Sequence, residues 1–216
     1  QDIKTTVDLY PEDNSYNITA DYAVINREDY PITELFITAR VPLKEVSLEN
    51  AELVEYFAEF DSYLFKFNKA VEPNQSVKLN YEIIYKVTGY EFDQEIIKNG
   101  TYLSHRSFEP SLSYRSGMEI QDNFEREKRG LPTKKNEGVN DDPLALDDIK
   151  SGRVSYETVV STAGDEIALS SGKLIKEWKQ DGRNYFHYKA DQKIMPTVGY
   201  LSSGYDVQKE DHNGVG

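Results

Sequence analysis

The sequence of 216 residues contains no cysteine. This absence excludes disulfide bonds, thiolate nucleophiles and cysteine-based zinc sites together. A chain of this length can bury roughly 70% of the surface that its unfolded form exposes, so it can fold without a covalent or metal cross-link. The lack of cysteine does not identify the cellular compartment, because cysteine-free proteins also occur outside the cytoplasm.

Long apolar runs and an excess of positive charge are also missing. No segment approaches the roughly 20 apolar residues of a membrane-spanning helix, and no signal peptide is recognisable. Lys and Arg number 25 against 38 Asp and Glu, which gives a formal net charge of −13. Phosphate backbones and anionic lipids would repel such a surface, so we expect no nucleic-acid partner and no direct membrane insertion by this chain.

The motifs of common catalytic sites are absent as well. The sequence has no H-E-x-x-H, no G-x-S-x-G, no P-loop and no dinucleotide fingerprint. His105, His187 and His212 lack the close spacing that groups metal ligands, so surface or core histidines are favoured over a zinc site. The acidic pairs at 141–142 and 147–148 lack EF-hand spacing. We therefore predict no catalytic, cofactor-binding or metal-ligating residue in this chain.

What the sequence does contain is the composition of a sheet protein, with 16 Tyr and 9 Phe. The segment SVKLNYEIIYKV, residues 76–87, alternates apolar and polar residues with Ile84 as its exception, which predicts a half-buried strand. Similar but weaker patterns predict strands at 15–26, 32–41, 153–162 and 197–210. Hairpins are predicted at 53–68, turning near Asp61 and Ser62, and at 172–190, turning at Asp181-Gly182. We expect an all-β fold of about 10 to 14 strands in mostly antiparallel sheets.

The stretch RSGMEIQDNFEREKRGLPTKK, residues 115–135, interrupts this pattern. Ser116 and Glu119 match a capping box, and Gly130 suits the position after a helix C-terminus, which predicts a short helix at about 117–129. Its acidic residues Glu119, Glu125 and Glu127 are interpreted as a charged surface, although they could also be general acids. Residues 133–152 predict a long polar loop.

A family resemblance is carried by NGTYLSHRSFEPSLSYRSGMEIQDNFEREKRGLP, residues 99–132. Its NGT-aromatic stretch, the following Pro110 and the acidic helix that ends in R-x-K-x-G-L-P resemble the N-terminal region of M1-type (gluzincin) aminopeptidases. The residues at 160–190 and 200–207 are similar to later strands of that family. The likeness is greatest to large bacterial membrane proteins that carry an M1-like peptidase region beside transporter-like spans.

The resemblance implies a saddle-like β-sandwich that precedes a thermolysin-like catalytic domain. In the family, that next domain carries the amine-binding G-x-M-E-N strand and the zinc-binding H-E-x-x-H helix, and neither motif occurs here. Gly117-Met118-Glu119 matches the amine-binding motif only in part, so no amine-binding role is assigned to Glu119. Zinc is therefore expected in the domain that this chain lacks.

The first functional prediction is a non-catalytic N-terminal β domain, residues 1–216, of an M1-like zinc metallopeptidase. It would be inactive alone, pack on the catalytic domain of the same chain and shape the cleft for a peptide substrate. The parent would be membrane-anchored, with this part on the extracytoplasmic face of a bacterial membrane. The alternatives are an independent extracytoplasmic β-sandwich that binds glycan or protein, and an enzyme whose site is assembled from distant carboxylates.

Overall fold

The structure, a computed structural model, describes residues 2–89, 94–112, 119–134 and 152–208. Within these ranges the chain is mainly β-strand, which confirms the predicted all-β class. The α-helices described are α1 (His105–Phe108) and α2 (Asn123–Lys128), and Pro11–Asp13 forms a 3-10 helix. The strands are β1 (Asp2–Tyr10), β2 (Ser15–Ile25), β3 (Ile32–Thr38), β4 (Glu45–Leu48), β5 (Ala51–Phe57), β6 (Ser62–Val71), β7 (Ser76–Lys86), β8 (Ile96–Ile97), β9 (Gly100–Ser104), β10 (Ser111–Leu112), β11 (Ser155–Ala163), β12 (Ile167–Ser170), β13 (Lys173–Gln180), β14 (Arg183–Lys189) and β15 (Gly199–Ser203).

Hydrogen bonds join these strands into three sheets. Sheet A has the order β13-β14-β11-β1-β2-β7-β4, sheet B the order β10-β3-β6-β5, and sheet C the order β12-β15-β9-β8. Neighbouring strands are antiparallel, except that β1 and β11 run parallel with Thr5 opposite Thr158. The prediction of mostly antiparallel sheets is confirmed.

The two small sheets cover the same face of sheet A. Ile3 and Thr5 lie two positions apart in β1 and therefore point to the same side. Ile3 lines a cavity with Leu35 and Phe67 of sheet B, whereas the Thr5 hydroxyl lies 2.7 Å from the Tyr200 hydroxyl of sheet C. The core lies between sheet A and these two layers, and the opposite face of sheet A faces solvent.

Strand β7 shows how the alternating sequence produces this burial. Its inward residues, which include Leu79 and Tyr81, are almost completely buried. Ile84, the exception in the sequence pattern, lies opposite Asn17 of β2 and remains 51% exposed. The strand predicted at 76–87 is therefore confirmed, and its one apolar mismatch lies on the solvent side.

The predicted hairpins are also confirmed. Asp181 and Gly182 connect β13 to β14 with φ angles of 50° and 77°, the pair of positive values that a type I′ turn requires. Asp61 precedes β6 with a φ of 44°, close to the predicted turn.

The helix prediction needs correction at its N-terminus. Glu119 lies outside the helix, and α2 begins at Asn123 because Asp122 is its N-cap and accepts a hydrogen bond from the backbone N–H of Glu125 at 2.8 Å. Ser116 lies outside the described residues, as does most of the predicted loop at 133–152. Gly130 follows the helix with a φ of 67°, as predicted.

Two predicted strands end earlier than expected, and several strands were not predicted. The strand predicted at 32–41 stops at Thr38, four residues before Pro42, and the one predicted at 197–210 stops at Ser203. Strands β1, β4, β8, β9, β10 and β12 have no counterpart in the prediction. Most of them are short, and a two-to-five-residue strand offers too few alternations to be recognised.

Shortening a core side chain of β7 tests this packing. Leu79 has no exposed surface, so Leu79→Ala should lower the free energy of unfolding by about 2–5 kcal/mol through lost burial and a residual cavity. Ile84→Ala, in the same strand, should change it by less than about 0.5 kcal/mol. Urea unfolding followed by circular dichroism compares the two variants. Equal midpoints would show that Leu79 and the other inward residues of β7 do not belong to the core.

Candidate functional site

A cluster of hydroxyl groups is buried where sheet C packs on sheet A. The Tyr200 hydroxyl lies 2.7 Å from the Thr5 hydroxyl and 3.1 Å from that of Thr158, and it accepts a hydrogen bond from Tyr156 at 2.9 Å. Thr5 also donates to Thr158 at 2.8 Å, which joins the parallel strands β1 and β11. The cluster therefore ties three strands together with polar groups that satisfy each other inside the core.

The chemistry of this cluster is structural. Burial raises the pKa of Tyr156 and raises that of Tyr200 well above the ordinary value. Both phenols therefore stay neutral at physiological pH and act as hydrogen-bonding groups.

Removing the central hydroxyl tests the role of the cluster. Tyr200→Phe keeps the ring but leaves the hydroxyls of Thr5 and Tyr156 short of a partner, so it should lower the free energy of unfolding by about 1–3 kcal/mol. Tyr102→Phe is the matched control, because Tyr102 lies on the neighbouring strand and is 63% exposed. A Tyr200→Phe protein as stable as the control in thermal unfolding would contradict this role.

The histidines do not gather in the described part of the chain. His187 lies on β14, with its Nε2 atom 2.9 Å from Oε1 of Glu157. His105 begins α1, and His212 lies outside the described residues. Among the described residues, no group of three or more His, Asp or Glu side chains is arranged to hold a metal ion.

Glu157 is held as a carboxylate by its neighbours. The hydrogen bond from His187 and the positive charges of Lys189 and Lys4 lower its pKa from the ordinary value of 4.5. A depressed pKa in the folded state stabilises the fold above the ordinary pKa, and this stabilisation disappears as the pH falls through the folded value.

A pH comparison tests this ion pair. Wild-type protein should lose more unfolding free energy between pH 7 and pH 3 than Glu157→Gln, because only the wild type has this carboxylate to protonate. Glu59→Gln, in an exposed turn, should retain the wild-type pH dependence. Urea midpoints at both pH values measure the difference, and parallel profiles for wild type and Glu157→Gln would rule out the stabilisation.

The charged segment around α2 is organised by Arg126. Arg126 is 8% exposed and donates to Glu119 at 2.9 Å, to the Ile120 carbonyl at 3.0 Å and to the Pro132 carbonyl at 2.7 Å. Glu125 pairs with Lys128 and Arg129 on the helix surface. Glu119 and Glu125 are thus engaged in ion pairs, which supports the interpretation of a charged surface.

The solvent face of sheet A is polar along its central strands. Lys4 of β1 lies opposite Asp21 of β2 on one side and Glu157 of β11 on the other. Opposite charges at cross-strand positions are favourable and leave this face well solvated. Its central outward residues include Lys4, Thr6, Thr19, Asp21, Lys78, Asn80, Glu82, Glu157 and Lys189, together with the apolar residues Ala23, Ile84 and Val159.

The outer face of sheet C is apolar instead. Leu169, Leu201 and Tyr102 are consecutive cross-strand neighbours on β12, β15 and β9. They are 40%, 37% and 63% exposed, and Ile97 on β8 adds a fourth exposed apolar side chain. We call Leu169, Leu201 and Tyr102 the apolar row. Contiguous exposed apolar groups of this kind mark interaction surfaces.

A depression of about 600 Å³ adjoins the apolar row. Its walls include all three residues of the row and, from α1, His105 and Arg106. Gly199 lies among the lining residues opposite Ser104, where a Cβ atom would come within 2.9 Å of the Leu103 carbonyl oxygen. Glycine thus permits the close approach of the two backbones.

Exposed aromatic side chains in the described ranges are spread over separate segments. Those with large exposure are Tyr30, Tyr56, Phe60, Tyr102, Phe124 and Tyr205. The apolar row contains two leucines and, at one end, a single aromatic residue, which is a composition suited to protein packing more than to stacking on successive sugars. The glycan-binding alternative stays a prediction that this surface does not favour.

Comparison with known proteins places the fold. No protein-family model matches the sequence, and no curated protein matches it significantly. The structure of an M1 zinc metallopeptidase from Deinococcus radiodurans matches with a TM-score of 0.59 at 11% identity, over 94% of this chain and 41% of that one. A mutant of that enzyme bound to a Tyr-Ser-Ala substrate gives a TM-score of 0.58 at 10% identity, with 94% and 41% covered. A two-domain M1 zinc metallopeptidase mutant bound to L-tryptophan gives 0.58 at 12% identity, with 94% and 42% covered.

These matches show a shared fold. The chain spans about two fifths of the length of the solved structures that it matches. The predicted resemblance to M1 metallopeptidases is thereby confirmed at the level of fold. Within the described ranges, no helix has the length and apolar character that crossing a membrane requires.

Proposed function

We propose that residues 1–216 form a single, non-catalytic N-terminal β domain of an M1-like zinc metallopeptidase, which packs on a zinc-binding catalytic domain of the same polypeptide. The observation that carries this proposal is the match of 94% of the chain to about two fifths of M1 zinc metallopeptidase structures. The apolar outer face of sheet C supports it, because an exposed apolar layer is stabilised when a further layer covers it.

The chemistry belongs to the other domain in this proposal. The sequence lacks H-E-x-x-H, and the described residues contain no cluster that could hold zinc. The β domain would contribute rigidity and one wall of the cleft that receives a peptide substrate. As part of this proposal, the parent is anchored in a bacterial membrane and presents the β domain on the extracytoplasmic side.

Zinc content and activity test the proposal. Residues 1–216 should contain no stoichiometric zinc and should not cleave aminoacyl reporter substrates. The polypeptide encoded by the complete reading frame should bind one zinc ion and carry H-E-x-x-H with a further Glu about 20 residues later. Elemental analysis and a fluorogenic aminoacyl assay measure both.

Stoichiometric zinc in residues 1–216 would contradict the assignment of zinc to another domain. A complete reading frame without a zinc-binding motif would contradict the proposed parent. Binding of residues 1–216 to a glycan array, lost in Tyr102→Ala, would instead favour an independent binding module.

A further inference from the structure

The depression beside the apolar row differs in charge from the chain as a whole. The formal net charge of the chain is −13, yet among the described residues those that line the depression include Arg106 and His105 and no carboxylate. Arg106 is exposed and forms no ion pair with any residue in the described ranges. The local surface therefore favours an anionic group, in contrast to its surroundings.

The shape and lining of the depression add a second requirement. Tyr102, Leu169 and Leu201 form apolar walls beside Gly199. The hydroxyl of Ser170, another lining residue, already donates to the Gly199 carbonyl at 3.0 Å. An apolar side chain fits these walls, and a carboxylate beside it would reach Arg106.

The solvent face of sheet A and the outer face of sheet C differ in the free energy of covering them with another domain. Covering the solvent face of sheet A would desolvate the charged residues Lys4, Asp21 and Glu157, of which Glu157 is already paired with His187 and Lys189. Covering the outer face of sheet C would remove mainly leucine, isoleucine and tyrosine surface from water, which is favourable. Of these two faces, an adjoining domain therefore gains more by docking on sheet C.

We infer that the apolar row and the adjoining depression form the surface on which the zinc-binding domain of the same polypeptide docks, and that the docked segment places an apolar side chain against the row and a carboxylate on Arg106. This inference rests on the proposed function, and it specifies the face and the chemistry of the partner. In the matched M1 structures, more than half of the polypeptide lies outside the part that this fold matches.

Thiol protection tests the docking face. Because the chain has no cysteine, Leu201→Cys introduces a unique thiol on the apolar row. Ile175→Cys is the matched control on β13, an edge strand of sheet A, where the wild-type residue is 51% exposed. Maleimide modification rates are measured in residues 1–216 and in the complete polypeptide, with the labelled peptide identified by mass spectrometry so that other cysteines do not interfere.

Both thiols should react readily in residues 1–216. In the complete polypeptide, modification at position 201 should slow by about tenfold or more, whereas modification at position 175 should be unchanged. Equal rates at position 201 in the two polypeptides would overturn the inference. Position 201 could instead react slowly already in residues 1–216, with a modification rate that rises on dilution. That result would show that a second copy of the chain covers the face, and it would also overturn the inference.

Zinc analysis of the same complete polypeptide separates this inference from the proposed function. If the complete polypeptide contains zinc but the thiol at position 201 is not protected, the inferred docking face is overturned and the proposed function is retained. Protection at position 201 without zinc overturns the proposed function and the identity of the docked domain, while it supports the apolar row as an interface.

Charge reversal tests the part played by Arg106. In the complete polypeptide with the thiol at position 201, Arg106→Glu should raise the modification rate by about tenfold, because it sets two carboxylates against each other. Lys179→Glu on β13 makes the same change in net charge and should have no effect, and Arg106→Lys should retain most of the protection. Unchanged protection in Arg106→Glu would overturn the requirement for a carboxylate.

Discussion

The structure depends on burying one face of sheet A under two smaller sheets while the other face stays in water. The inward positions of β1 show how this is achieved, since Ile3 meets sheet B and Thr5 meets sheet C. Successive residues of a strand point to opposite sides, so this arrangement requires alternation along every central strand. Slipping one strand by a single residue would bury charges such as Lys4 and expose Val7.

Polar groups at the centre of this interface add directionality to the packing. Apolar contacts alone would tolerate small shifts of sheet C over sheet A, but the hydrogen bonds among Tyr200, Thr5 and Tyr156 are satisfied only in one register. Thr5 also donates to Thr158 and so joins β1 to β11, strands separated by most of the chain. The cluster therefore fixes the position of sheet C, and with it the position of the apolar row on its outer side.

Local sequence pattern predicts this fold only as far as the interactions that build it are local. The alternation of β7 and the Asp181-Gly182 turn were predictable because each depends on neighbouring residues. The parallel pairing of β1 with β11 was not, because nothing within either strand identifies a partner about 150 residues away. The start of α2 was predicted wrongly because Ser116-Glu119 and Asp122-Glu125 both match the pattern of a helix N-cap. In the structure Asp122 caps the helix, and Glu119 accepts a hydrogen bond from the buried Arg126 instead.

The candidate site was harder to predict than the fold for the same reason. Tyr102, Leu169 and Leu201 come from three strands, and each belongs to a segment where apolar residues on both faces suggest a core position. Only the sheet topology brings them into one row, and only their exposure shows that the fold does not bury them.

A sheet that is apolar on both faces requires a layer on each side, as in proteins where helices or further strands cover both surfaces. Sheet C has sheet A on its inner side, and within the described residues its outer row remains exposed. Structures with the same fold at 11% identity contain additional polypeptide, and under the proposed function such polypeptide would supply the second layer. The apolar row is explained if its sheet lies in the middle of a larger assembly, with the hydroxyl cluster on one side and a docked domain on the other.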